Sequence, residues 1–164
     1  MTNRFGALSA LVNSPFERER ERVLEQFYED WQHDPQVVEQ WFAVQSGSPW
    51  MGRLDRVREL IEHPAFDWGN PNKIRTVIGV FAGRNLVHFH DPDGSGHRFL
   101  GEQIKHLDAS NPQIAAGLAQ PLTRWRRYAP GLRDSMKSVL EDLMAQPQLS
   151  RDLFEVVSKS LKED

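Results

Sequence analysis

The chain has 164 residues, 39% hydrophobic and 26% charged, a balance that suits one soluble globular domain and excludes a disordered one. A formal net charge of -3 provides no overall field for nucleic acid or anionic lipid, and the lack of any cysteine excludes disulfide frameworks and thiolate zinc or redox chemistry. No segment approaches the roughly 18 apolar residues of a membrane span, and Ala7 to Val12 is too short for a signal peptide, so no membrane contact and a cytoplasmic location are expected.

Phe5, Leu8, Leu11 and Val12 fall at helical spacing, and Asn13-Ser14-Pro15 stops that helix and starts another. The second carries Phe16, Val23, Leu24, Phe27, Tyr28 and Trp31 as one apolar stripe. Its alternating run Glu17 to Arg22 reads as a solvated face. Asp34-Pro35 begins a third helix through an N-cap side chain followed by a proline that needs no donor there, and Ser46-Gly47-Ser48-Pro49 ends it. A fourth runs from about Gly52 to Glu62 and stops at His63-Pro64. Asn70-Pro71 opens a fifth, with Ile74, Val77, Ile78 and Phe81 at i, i+3, i+4 and i+7 and Gly83 as its expected stop.

Residues 84–98 read as irregular. A helix with Phe99, Leu100, Ile104 and Leu107 follows, then a restart at Asn111-Pro112 in which Pro121 predicts a kink or a division into two helices. The last two helices start at Pro130 and, with a good N-cap, at Ser150. No segment alternates with period two, so the expectation is an all-α protein of about nine helices. The Asp/Asn-Pro starts at Asp34, Asn70 and Asn111 recur at the spacing of two-helix solenoid repeats.

Three clusters suggest chemistry. Asp91, Asp93, Ser95, Gly96 and Glu102 match the spelling of a calcium loop, D-x-[DN]-x-[DN]-G-x₅-E, with the His97 carbonyl as a further ligand. Pro92 at the second position, Arg98 at the eighth and the lack of a sister loop argue against it. We read it as a turn in which Asp93 or Ser95 caps the helix of Phe99 and Glu102 lies on the surface. His88, His90 and His97 hint at a transition-metal site, but exposed or capping histidines account for them. Arg124, Trp125, Arg126, Arg127 and Tyr128, with Arg133 and Lys137, mix cations and aromatics as nucleic-acid grooves do. Helix-end electrostatics and core packing explain them better, so no nucleic-acid partner is expected.

Taken together, Asn70-Pro-Asn-Lys-Ile-Arg75, His90 to Gly96, Asn111-Pro-Gln-Ile-Ala115, Arg124-Trp-Arg-Arg-Tyr128 and Leu149 to Glu155 resemble the C-terminal end of bacterial aminopeptidase N, a zinc-dependent exopeptidase of the gluzincin group. Phe5 to Val12 and Trp41 to Gln45 extend the likeness across essentially the whole chain. The His-Glu-x-x-His and Gly-x-Met-Glu-Asn motifs of that family are absent.

The resemblance implies a single helical-repeat domain over 1–164, a right-handed ARM/HEAT-like superhelix of paired antiparallel helices, forming the C-terminal part of a longer peptidase. It implies a non-catalytic domain that binds no cofactor itself, closes over a zinc-bearing catalytic domain of the same polypeptide and helps line the chamber that receives peptide substrates. Arg75 and Gln113 are the lining residues it implies, Arg75 facing a peptide carboxylate. Gly117 departs from the pattern, since members often carry arginine there, and crowding by Pro121 supplies a backbone reason for a small residue. A free-standing helical-repeat interaction module and a calcium protein remain alternatives. Self-association through an exposed solenoid end is a further expectation.

Overall fold

The computed structural model describes residues 2–162, and these contain helices and no strand. The chain divides into two compact units that meet in sequence at His88 and Phe89.

The first unit comprises α1 (Thr2–Val12), α2 (Glu17–Trp31), α3 (Pro35–Ser46), α4 (Leu54–Ile61), α5 (Pro71–Ile74), a π turn (Arg75–Gly79) and α6 (Val80–Arg84). Each Asx-Pro start works as its sequence dictates. Asp34 accepts from the N–H groups of Gln36 and Val37, and Asn70 from those of Asn72 and Lys73, so donors that a helix start leaves without partners are satisfied locally. α1 packs on α2, α2 on α3, and α3 on the π turn. Leu24, Phe27, Val37, Phe42, Val57, Ile74, Val77, Ile78 and Phe81 are buried between them. Each such side chain contributes about 1.5–3 kcal/mol by leaving water. Trp41 ties two helices together by donating its indole N–H to the Leu24 carbonyl at 3.0 Å.

Four local expectations change here. Phe16, expected in the apolar stripe of α2, is its N-cap residue and is exposed. Arg20 is not on a solvated face: it is 7% exposed, and its guanidinium donates to the Ser14 carbonyl at 2.7 Å. Gly83 does not stop its helix, but sits exposed inside α6, and the chain leaves helical geometry at Asn85. Residues 71–84 are not a plain α-helix, because the π turn inserts one wider loop that begins at Arg75.

The short α7 (Leu86–Phe89) falls in the stretch read as irregular. The second unit then holds α8 (Ser95–Asp108), α9 (Pro112–Ala119), a 3₁₀ helix (Leu122–Arg127), α10 (Pro130–Met144) and α11 (Arg151–Leu161). Pro121 divides the pattern as expected: α9 stops at Ala119, and the chain tightens into 3₁₀ geometry, with Gln120 N–H donating to Gly117 O. Phe99, Leu100, Ile104, Leu107, Leu118, Leu122, Leu140 and Leu153 form the core. At Gly101 an added Cβ would lie 2.6 Å from Val139 Cγ1, so α8 and α10 approach at a position open only to glycine. Asp108, 6% exposed at the end of α8, accepts from Ser150 N–H at 2.8 Å and from the Ser150 hydroxyl, fixing where α11 starts. With the π turn, the 3₁₀ helix and α7, the described residues hold more elements than the nine expected.

Candidate functional site

Arg75 is exposed at the first position of the π turn, where Val80 N–H reaches back five residues to the Arg75 carbonyl. Its guanidinium has no bonded partner among the described residues. Such single-turn widenings recur at functional sites because they re-aim a side chain without ending the helix. Nothing in the apolar spacing of Ile74, Val77, Ile78 and Phe81 signals it.

Gln113 is exposed in the first turn of α9, whose start is fixed by Asn111 accepting from Ile114 N–H at 3.3 Å. Gly117 lies one turn further on, also exposed. A Cβ added there meets nothing within 4 Å, so the space around this position does not itself require a glycine. The two side chains implied as chamber lining are both exposed, Arg75 at the start of the π turn in the first unit and Gln113 in the first turn of α9 in the second.

The calcium-like spelling is a turn. Asp91 accepts from Asp93 N–H at 3.1 Å, Asp93 accepts from Ser95 N–H at 2.7 Å, and Glu102 is exposed on α8. Bonds from Ser95 hold the Asp93 carboxyl below its usual range. The left-handed residue is Gly94, at φ 72°, and it, not the expected Asp93 or Ser95, is the N-cap of α8, whereas Gly96, the turn glycine of a calcium loop, is buried inside α8. The carboxylates are thus occupied with backbone donors. Arg98 closes the turn by donating to the Asp93 carbonyl at 2.9 Å.

The histidines do not behave as surface groups. His97 is 0% exposed, and both of its ring nitrogens are engaged: Nε2 lies 2.9 Å from His90 Nδ1, and Nδ1 lies 2.8 Å from Ser135 Oγ on α10. Burial, then the neighbouring His90 and Arg98, push the His97 pKa down to about 4. Burial also lowers that of His90, which packs on Tyr128 at 4.5 Å. His88 is separate, its Nε2 2.9 Å from the Pro49 carbonyl. The facing nitrogens of the two imidazoles are bonded to each other, and among the described residues no group of three His, Asp or Glu side chains is arranged to hold a metal.

The basic cluster caps a helix. Arg126 donates to the carbonyls of Ser160 and Lys162, each at 2.7 Å, at the end of α11, and its guanidinium lies 4.3 Å from the Trp125 ring centre. This is the helix-end role expected of it, although the helix it caps is α11 and not its own.

Comparison with known proteins matches residues 1–162 to a family described as "Domain of unknown function (DUF3458_C) ARM repeats". The chain belongs to this family. The ARM-repeat description agrees with the helical-repeat architecture expected from the Asx-Pro periodicity. This ARM-repeat domain is also 45% identical over 142 residues to aminopeptidase N of Caulobacter vibrioides, covering 87% of the chain and 16% of that protein. It is 39% identical over 161 residues to aminopeptidase N of Escherichia coli, covering 98% of the chain and 18% of that protein. The crystal structure of Legionella pneumophila aminopeptidase A in complex with aspartic acid superposes with a TM-score of 0.86 at 32% identity, over 94% of the chain and 18% of that structure. The domain thus spans less than a fifth of the length of the aminopeptidases it resembles, and the likeness to aminopeptidase N read from its motifs stands.

Proposed function

We propose that this domain is the non-catalytic C-terminal domain of a cytoplasmic zinc aminopeptidase, which caps the catalytic domain of the same polypeptide and lines its peptide chamber with Arg75 and Gln113. The observation that carries the reading is the whole-chain likeness at 39–45% identity to a segment making up 16–18% of aminopeptidases N. Zinc belongs to the remainder of such an enzyme, where it would polarise the scissile carbonyl and activate water. The part played by this domain is to bind and orient. Arg75 offers an unpaired guanidinium to a peptide carboxylate, and Gln113 offers an amide that can donate or accept.

The test uses the full-length enzyme with Arg75→Ala. Loss of a charge-assisted pair worth about 1.5–3 kcal/mol raises KM for tripeptides by roughly 10- to 100-fold. KM for an aminoacyl p-nitroanilide, which has no carboxylate, should stay unchanged. Equal effects on both substrates, or none, would refute the role of Arg75. Zinc-stimulated aminoacyl-amide hydrolysis that copurifies with the domain alone would refute its non-catalytic character.

A further inference from the structure

The chain His90–His97–Ser135 is not used by the proposed function, and its proton arithmetic gives it a property of its own. In neutral form each imidazole carries one N–H. One arrangement has His90 Nδ1–H donating to His97 Nε2 while His97 Nδ1–H donates to Ser135 Oγ. The reverse has the Ser135 hydroxyl donating to His97 Nδ1 and His97 Nε2–H donating to His90. A first added proton fits, because an imidazolium at His90 still donates from Nδ1 to the lone pair of His97. A second does not. With His97 also charged, two N–H groups confront each other across 2.9 Å, and both rings carry positive charge.

We propose that His90, His97 and Ser135 form an acid-operated latch: charging His97 as well as His90 breaks the contact between the rings and releases residues 89–98 from α10, while α9 and α11 stay folded.

Among the described residues neither ring is bonded to a carboxylate that could balance that second charge. The turn contributes Asp91 and Asp93, whose carboxylates are bonded to Asp93 N–H and Ser95 N–H. α8 contributes Arg98, a like charge. The segment after the 3₁₀ helix contributes the Tyr128 ring, and α10 the neutral Ser135 hydroxyl. The charged groups flanking Ser135 on α10 are paired elsewhere, Arg133 with Asp134 and Lys137 with Glu141. The latch also fastens a tight junction, since a Cβ at Gly94 would lie 2.6 Å from Ser135 Oγ, so the turn of residues 91–94 rests directly on α10.

Because the folded state disfavours the charged forms, the open state takes up the proton. The latch is closed above pH 6.5, the ordinary imidazole value, and opens progressively as pH falls from there toward about 4. Net uptake of one proton, at His97, makes the opening constant rise by about 10-fold per pH unit, and the rise is steeper where His90 is also still neutral in the closed state.

Hydrogen exchange read by mass spectrometry on the full-length protein, corrected for intrinsic exchange chemistry, tests this directly. Peptides covering 89–98 should open by at least about 10-fold more per pH unit between pH 6 and 4.5, with α9 and α11 still protected. His97→Gln, whose neutral amide can bridge the same two neighbours, should flatten that dependence. A pH-independent opening constant, opening only together with the whole second unit, or a His97→Gln variant that follows the wild-type curve would each overturn the latch. Imidazole NMR on the wild type is independent of any variant: His97 should gain its proton only as the 89–98 amides lose protection. A protected segment with both rings charged would sink the idea.

Discussion

Replacing Asn85 by aspartate exchanges one buried amide nitrogen for an oxygen in a place built for a donor. Asn85 is 1% exposed, and its Nδ2 donates to the carbonyls of Ser46 at 2.9 Å, Ser48 at 3.1 Å and Gly52 at 2.7 Å. Its Oδ1 accepts from His88 N–H, which fixes the orientation of the amide. The clamp therefore holds the loop after α3 to the end of α6, and it leaves no slack, since a Cβ on Gly52 would lie 2.3 Å from Asn85 Nδ2. Ser48 O also accepts from Gly52 N–H, so removal of the clamp chiefly strands the carbonyls of Ser46 and Gly52.

At about 1–3 kcal/mol for each of the two carbonyls left without a partner, Asn85→Ala should lower unfolding stability by roughly 2–6 kcal/mol, out of a total of about 5–15. Asn85→Asp should cost at least as much at pH 7, because a carboxylate oxygen would face three carbonyl oxygens. Its folded-state pKa would then rise, so part of the loss returns as pH falls and the carboxyl gains a proton to donate. Urea unfolding followed by circular dichroism, with m-values compared, measures both variants. An aspartate variant as stable as wild type at pH 7 would show that the clamp is not what holds the loop.

Two further variants probe the second unit. Asp108→Asn replaces an acceptor by an amide and can no longer satisfy both the N–H and the hydroxyl of Ser150 as a carboxylate does, so a loss of about 1–3 kcal/mol is expected in the same unfolding experiment. Arg126→Ala frees the last carbonyls of α11 and removes a cation from the Trp125 face, which should fray residues 158–162 in hydrogen exchange at a cost of about 1 kcal/mol to the whole.

The parts of this protein that are legible in its sequence are those whose physics is local. Asp34, Asn70, Asn111 and Ser150 each accept from backbone N–H groups two or three residues ahead, so the start of each helix follows from adjacent residues alone. Pro121 ends α9 because its ring and missing donor act within one turn. The periodic apolar residues predict the buried faces, and Ile74, Val77, Ile78 and Phe81 are all 0% exposed. The turn at Asp91 to Ser95 was likewise readable from Asx chemistry, against a calcium spelling that shares the same letters.

What the sequence left undecided depends on partners far along the chain. Arg20 looks like its solvated neighbours in an alternating run, and only the packing of α2 against the preceding segment buries it. Asn85 reads as a loop residue until the carbonyls of Ser46, Ser48 and Gly52 converge on it from more than 30 residues away. Arg75 gained its place from the resemblance, while the π turn that begins there emerges from packing of the whole 71–84 run. His97 shows the division most plainly. Its letter, beside Gly96 and Arg98, suggests an exposed ring at a helix start, and packing against a neighbour 38 positions away on α10 makes it a buried group whose charged form is disfavoured. The chain alone determined that it would be helical and where most helices would begin, because caps and periodicity act over a few residues. Tertiary structure decided which polar groups lost their water, and so which of them carry chemistry, because burial depends on what the rest of the fold brings against them.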